Sequence, residues 1–245
     1  MEKTTQTNQI TEGVIWKQLL FFFFPIMIGT FFQQLYNTVD TVIVGQFVGK
    51  NALASVGGSS SQIVNLVVGF FTGLSSGASV IIAQYFGAKN EKAVSQGVHN
   101  AYAVAVAGGI VLSILGVLLA PRMLLLMNTP PEIMHDSTVY LRIYFGGILF
   151  TFVYNMGSSI LRATGDSKSP LYYLITCCLI NIVLDLLFVL AFHMAVLGVA
   201  LATLTAQAVS AVLVTRKLMK SEGLLHLRLS GIRFYGSAMK YQIKL

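Results

Sequence analysis

Charge is what this sequence has least of. Only 10% of its 245 residues are Asp, Glu, Lys or Arg, against roughly 25% in an ordinary soluble domain. With 55% hydrophobic residues and a mean hydropathy of +0.74, a soluble domain with a large core is excluded and an integral membrane protein is expected. Cysteine is scarce too. Cys177 and Cys178 are adjacent in an apolar segment, where helix geometry points them about 100° apart and disfavours both a disulfide and a metal site. The four histidines, His99, His135, His193 and His226, are read as lying near span ends or in loops, and no pair has metal-ligand spacing. GDSKSP lacks the phosphate-loop pattern, and Ser59, Ser60 and Ser61 lack a His–Asp partner arrangement. The start, MEKTTQTNQITEG, is polar and has no signal-peptide core. No enzyme and no cofactor are expected.

The net charge of +7 does not point to nucleic acid. Its basic residues sit between apolar segments and in the C-terminal tail, as cytoplasmic loops of a membrane protein would have them. Six long apolar segments are present, at about 16–48, 59–86, 100–120, 140–161, 171–192 and 194–215. Each is long enough to cross a bilayer as a helix. An all-α bundle of six transmembrane helices is therefore predicted over 16–220. A cytoplasmic N-terminus, 1–15, precedes it, and a basic tail, 221–245, follows it as a solvated end or a segment lying on the inner leaflet. With the N-terminus inside, Lys3, Lys17, Lys89, Lys92, Arg162, Lys168, Arg216, Lys217 and Lys220 face the cytoplasm and only Lys50, Arg122 and Arg142 face out. Nine against three favours that orientation.

The chain turns on LYYLITCCLINIVLDLLFVLAF, Leu171–Phe192. Its 22 residues make a helix of about 33 Å. Asn181 and Asp185 lie one turn apart on one face of it. A carboxylate at membrane depth costs roughly 2.5–3.5 kcal/mol on insertion scales, so such a group is kept with a partner, a proton or a use. In the first span Asp40 follows Tyr36 by four residues and Gln33 by seven, on one face. Counted from the span ends, Asp185, Asp40 and Thr203 lie about 10, 12 and 13 Å below the outer surface. Three helices thus bring polar groups to one level, which predicts a small-cation or proton site. Asn155 is a neutral amide, equally suited to joining helices. Pro25 predicts a kink in the first span. Small residues in GLSSGASV, AVAVAGG and GVALATLTAQAVSA predict close helix packing.

Together QQLYNTVDTVIVGQFVGKNALASVG, GLSSGASVIIAQYFGAKN, LRATGDSKSP, NIVLDLLF and LGVALATLTAQAVSAVL resemble the N-terminal half of multidrug and toxic compound extrusion (MATE) transporters, closest to their bacterial branch. The resemblance covers Val14 to Lys220 in order and spacing. It implies one lobe of a twelve-helix, two-lobe antiporter of the bacterial plasma membrane, exporting cationic or amphipathic drugs in exchange for Na+ or H+. It further implies that Asp40, Asn181 and Asp185 hold the cation or proton, with Tyr36, Asn155 and Thr203 in the same polar network. Na+ would bind at Asp40, Asn181, Asp185 and Thr203. Gln33 would face the substrate cavity, and the first helix would bend at Pro25.

The family is nearly twice this length, so the chain is expected to be a truncated product or a fragment whose tail resembles the interlobe linker. Its partners would be an amphipathic small molecule, the bilayer, and either the missing six-helix lobe or a second copy. Two alternatives compete. A lipid-linked oligosaccharide flippase of the same superfamily would call for a cationic cavity, and the spans offer two acids and almost no basic residues. A non-transporting half-size subunit would restore twelve helices by pairing with a second copy.

Overall fold

The computed structural model describes residues 15–221 and residue 227. The rest of the 1–15 and 221–245 segments lies outside the described residues. Among those described, every regular element is helical. α1 spans Ile15–Ile43, α2 Lys50–Gly57, α3 Ser59–Gly87, α4 Glu91–Leu126, α5 Pro131–Gly146, α6 Ile148–Ala163, α7 Lys168–Leu186 and α8 Ala195–Lys220. α1 and α7 each run on into a five-residue π turn, Val44–Val48 and Leu187–Ala191.

Local chemistry explains most boundaries. α3 closes on Lys89 at φ 54°, with Asn90 N donating to Tyr85 O at 3.0 Å. Asn90 then caps α4, its Oδ1 accepting from Ala93 N at 3.1 Å, and Glu91 sits in the first turn where the helix dipole favours an acid. α4 therefore starts well before the predicted Asn100 and ends past Ala120. As a result His99 lies inside a helix, not near its end, and is 6% exposed with Nδ1 2.7 Å from Ser95 O. Pro130 and Pro131 start α5.

The predicted fourth span, 140–161, is a bent unit. α5 and α6 meet at 47° across Gly147. A side chain at Gly147 would overlap Leu204 of α8, so the bend lets α8 press directly on the backbone. By length and apolarity four helical units qualify to cross a membrane: 50–87, α4, 168–191 and α8. The bent α5–α6 pair makes a fifth. α1, 29 residues long, completes the six-helix bundle. It stays helical through the buried Pro25.

Packing follows the small residues of AVAVAGG in α4 and of α8, whereas Gly73 and Gly77 of GLSSGASV have nothing within 4 Å of an added Cβ, so the close approach expected there is not made by the glycines. A Cβ on Gly109 of α4 would lie 2.9 Å from Leu149 Cα, so α4 and α6 touch through backbone there. Phe71 of α3 stacks on Phe152 of α6 at 3.4 Å between ring centroids and 7° between planes. Lipid is as apolar as these rings, so dispersion and shape fit hold the contact. Phe71→Ala is expected to cost about 3 kcal/mol and lower the thermal midpoint of the purified chain by about 6 °C or more. An unchanged midpoint by differential scanning fluorimetry would show that the stack holds nothing.

At the other end of α6, Gly165 at φ 94° turns the chain and Asp166 caps α7. Its Oδ1 accepts from Ser169 N at 2.9 Å and its Oδ2 from Ser169 Oγ at 2.6 Å. Lys217 of α8 stands 3.9 Å from the same carboxylate. GDSKSP is thus a helix start and not a phosphate cradle. Asp166→Ala is expected to cost about 1 kcal/mol, a midpoint drop of about 2–4 °C, checked in the same melting assay.

Candidate functional site: a carboxylate pair at the end of a polar cavity

α1 packs along α7, and α7 along α8. That arrangement brings the polar faces of three helices together. Asp185 and Asn181 are both 0% exposed. With its amide nitrogen facing the acids, Asn181 donates to Asp185 Oδ2 and to Asp40 Oδ1, each at 3.1 Å. One neutral amide therefore bridges two carboxyl groups from different helices. Asp185 Oδ1 is buried and has no hydrogen-bond partner. Tyr36 donates to Thr203 Oγ1 at 3.4 Å, tying α1 to α8 one helical turn from Asp40.

Asp40 lines a cavity of about 570 Å³, while Asp185 and Asn181 lie buried behind that wall. Pro25, Gln33, Tyr36, Asp40, Asn155 and Thr203 all line it. Gln33 is exposed on its wall, and Asn155 is half-buried with no hydrogen bond to the acids. Among the described residues no group of three His, Cys, Asp or Glu side chains gathers to hold a metal ion. The polar set is instead two carboxyls, one amide and two hydroxyls. Its carboxyl and hydroxyl groups are hard oxygen donors, suited to a proton or an alkali cation and not to a soft transition metal, while Asn181 presents its N–H side to the acids.

Several wall residues escaped the sequence reading. Cys177, assigned no role, lines the cavity, as do Tyr140, Tyr144 and Arg162. Tyr140 and Tyr144 were hidden because 140–161 was read as one span, whereas α5 and α6 are separate helices meeting at 47°. Arg162 had a readable signal: it lies seven residues after Asn155, two turns along the same face of α6.

Among the described residues, a strand-free bundle carries an acid pair, Asp40 on the wall of a polar cavity and Asp185 buried behind it. That defines the class: a multi-pass helical membrane protein built like one lobe of a transporter. The MatE family model matches residues 25–187, and the chain belongs to that family of membrane transporters. It is 35% identical over 201 residues to the probable multidrug resistance protein YpnP of Bacillus subtilis, covering 82% of this chain and 45% of the relative. It is 29% identical over 210 residues to the probable multidrug resistance protein NorM of Thermotoga maritima, again covering 45% of the relative. An outward-facing multidrug resistance MATE family transporter of the MOP superfamily superposes with a TM-score of 0.89 at 24% identity. That match covers 100% of this chain and 54% of the solved one. The chain thus spans about half the length of the curated relatives it matches.

Proposed function

We propose that this chain is the ion-coupled lobe of an antiporter that exports cationic or amphipathic compounds. One observation carries the reading: a fully buried Asp185, bridged to Asp40 through Asn181 and left with an unpartnered Oδ1. Two carboxyl groups this close in a low-dielectric setting need a positive partner. Among the described residues the one salt bridge joins Lys217 to Asp166, far from the pair in sequence. Na+ or H+ supplies the missing charge. Either ion can be held by Asp40, Asp185, Asn181 and Thr203, with Tyr36 fixing Thr203. The carboxyl and hydroxyl oxygens suit either ion, with Asn181 turning its amide oxygen inward where it joins them, so the pair defines where coupling occurs before it defines which ion is used.

The cavity gives the pair its effect. Asp40 and Tyr36 line it, so neutralising the acids changes the field that an organic cation would meet there. Ion and drug then favour opposite states of the lobe, and by linkage each weakens the other. Gln33 and Asn155 are placed to contact the organic substrate. Pro25, buried in the same wall, is the point where α1 would bend between states. The multidrug resistance names of the relatives support the substrate class. The Lys and Arg distribution supports an N-terminus on the cytoplasmic side of a bacterial plasma membrane. A second six-helix lobe would complete the cavity.

The test is ethidium efflux from cells producing the complete two-lobe protein. Asp40→Asn and Asp185→Asn should each reduce efflux to the level of cells without the transporter. Efflux unchanged in both variants would remove the acids from the mechanism. Thr203→Val and Tyr36→Phe delete single neutral hydrogen-bonding groups, so they should weaken efflux by about two- to tenfold without abolishing it.

A further inference from the structure

The cavity has a second polar end. The wall residues of α6 include Thr151, Asn155 and Arg162, four and seven residues apart and so on one face. Pro25 of α1 and Pro170 of α7 line the same end as Arg162. Each precedes its helix's acid by 15 residues, which places this end about 22 Å from Asp40 and Asp185.

Arg162 is half-buried there. The acid nearest to it in sequence, Asp166, is already engaged by Ser169 N, Ser169 Oγ and Lys217. Among the described residues no carboxylate oxygen lies within 4.0 Å of Arg162. A guanidinium withdrawn from water without a counter-charge is costly, and its planar fork of donors matches a carboxylate or phosphate. Ser167, 6% exposed, lines the same end and offers a hydroxyl.

We propose that Arg162, with Ser167 on the same end of the wall, forms an oxyanion subsite in this cavity. It takes one carboxylate or phosphate group, either the acid group of an amphipathic substrate or the headgroup phosphate of an anionic lipid. The cavity therefore has two polarities, with acids at one end and a guanidinium at the other. A compound carrying a carboxylate is held better than its neutral ester, without its positive end having to reach the acids about 22 Å away. The subsite does not depend on the ion-coupling reading, because it requires only Arg162 and the wall around it.

The test uses the purified 245-residue chain in nanodiscs of neutral phosphatidylcholine, with empty nanodiscs as blank. Two dyes are titrated by fluorescence anisotropy: rhodamine 6G, an ethyl ester, and rhodamine 19, its free acid. Arg162→Gln should weaken the free acid about tenfold and leave the ester within about twofold. Arg162→Lys should keep the free acid within about threefold, since the charge remains. Should Arg162→Gln fail to fold, salt replaces it. Raising NaCl from about 50 to about 500 mM should weaken the acid severalfold more than the ester in the unaltered chain.

Phosphatidylglycerol in the nanodisc separates the two sources. A lipid site predicts that it displaces the acid dye and is retained by the unaltered chain, but not by Arg162→Gln, in native mass spectrometry. A substrate site predicts acid-over-ester discrimination that phosphatidylglycerol leaves intact. The proposal is overturned if Arg162→Gln or salt affects both dyes equally. It is also overturned if the unaltered chain binds neither the acid dye nor phosphatidylglycerol.

Discussion

Asp185→Asn is expected to stabilise the chain while silencing the transporter. The side chain is 0% exposed and its Oδ1 has no partner, so replacing the carboxylate by an amide of the same shape removes a charge that the fold holds at a cost. Insertion scales put an acid at the centre of a span at roughly 2.5–3.5 kcal/mol. Even a third of that would raise the thermal midpoint of a chain this size by about 2–4 °C. The amide keeps an oxygen to accept from Asn181, so the bridge to α1 survives. Its ability to hold a proton or Na+ does not. Differential scanning fluorimetry on the purified chain reads the first effect and ethidium efflux by the complete protein reads the second. A lowered midpoint together with normal efflux would mean that Asp185 is structural.

Asn181→Leu should act in the opposite direction on stability. The amide supplies a hydrogen bond to each acid, at 3.1 Å in both cases. An apolar side chain of similar size removes both donors at once. The two carboxyl groups, which also meet each other directly through a side-chain hydrogen bond, would then lose the donor they share. The loss of two hydrogen bonds to charged groups is expected to cost about 3–4 kcal/mol, a midpoint drop of about 6–16 °C. Efflux should fall as well, because the two acids no longer share one geometry. Asn181→Leu with an unchanged midpoint would show that the amide does not bridge them.

The periodicity of this sequence carried much of this arrangement, and particular residues show how. Asp40, Tyr36 and Gln33 at intervals of three and four fix one face of α1. Asn181 and Asp185 fix one face of α7, and counting 1.5 Å per residue brought the two acids and Thr203 to one depth. Contact needed more than depth. Whether α1 packs on α7 so that one amide reaches both acids depends on tertiary packing that a linear pattern does not encode. Gly147 illustrates the same limit. Two adjacent glycines mark a weak point in a helix, but the 47° bend there and the approach of Leu204 to Gly147 are set by tertiary packing. The N-terminus of α4 was misplaced because EKAVSQGVH is polar and scores poorly as membrane span, although Asn90 and Glu91 are good cap residues. His99 was misassigned with it.

The central claim is that Asp40 and Asp185 hold the ion that drives export. It is tested most directly by reconstituting the complete protein in vesicles and imposing either a Na+ gradient or a pH gradient while following ethidium transport. The unaltered protein should move ethidium under at least one gradient, and Asp40→Asn and Asp185→Asn under neither. Gradient-driven transport that persists in Asp185→Asn would contradict the account.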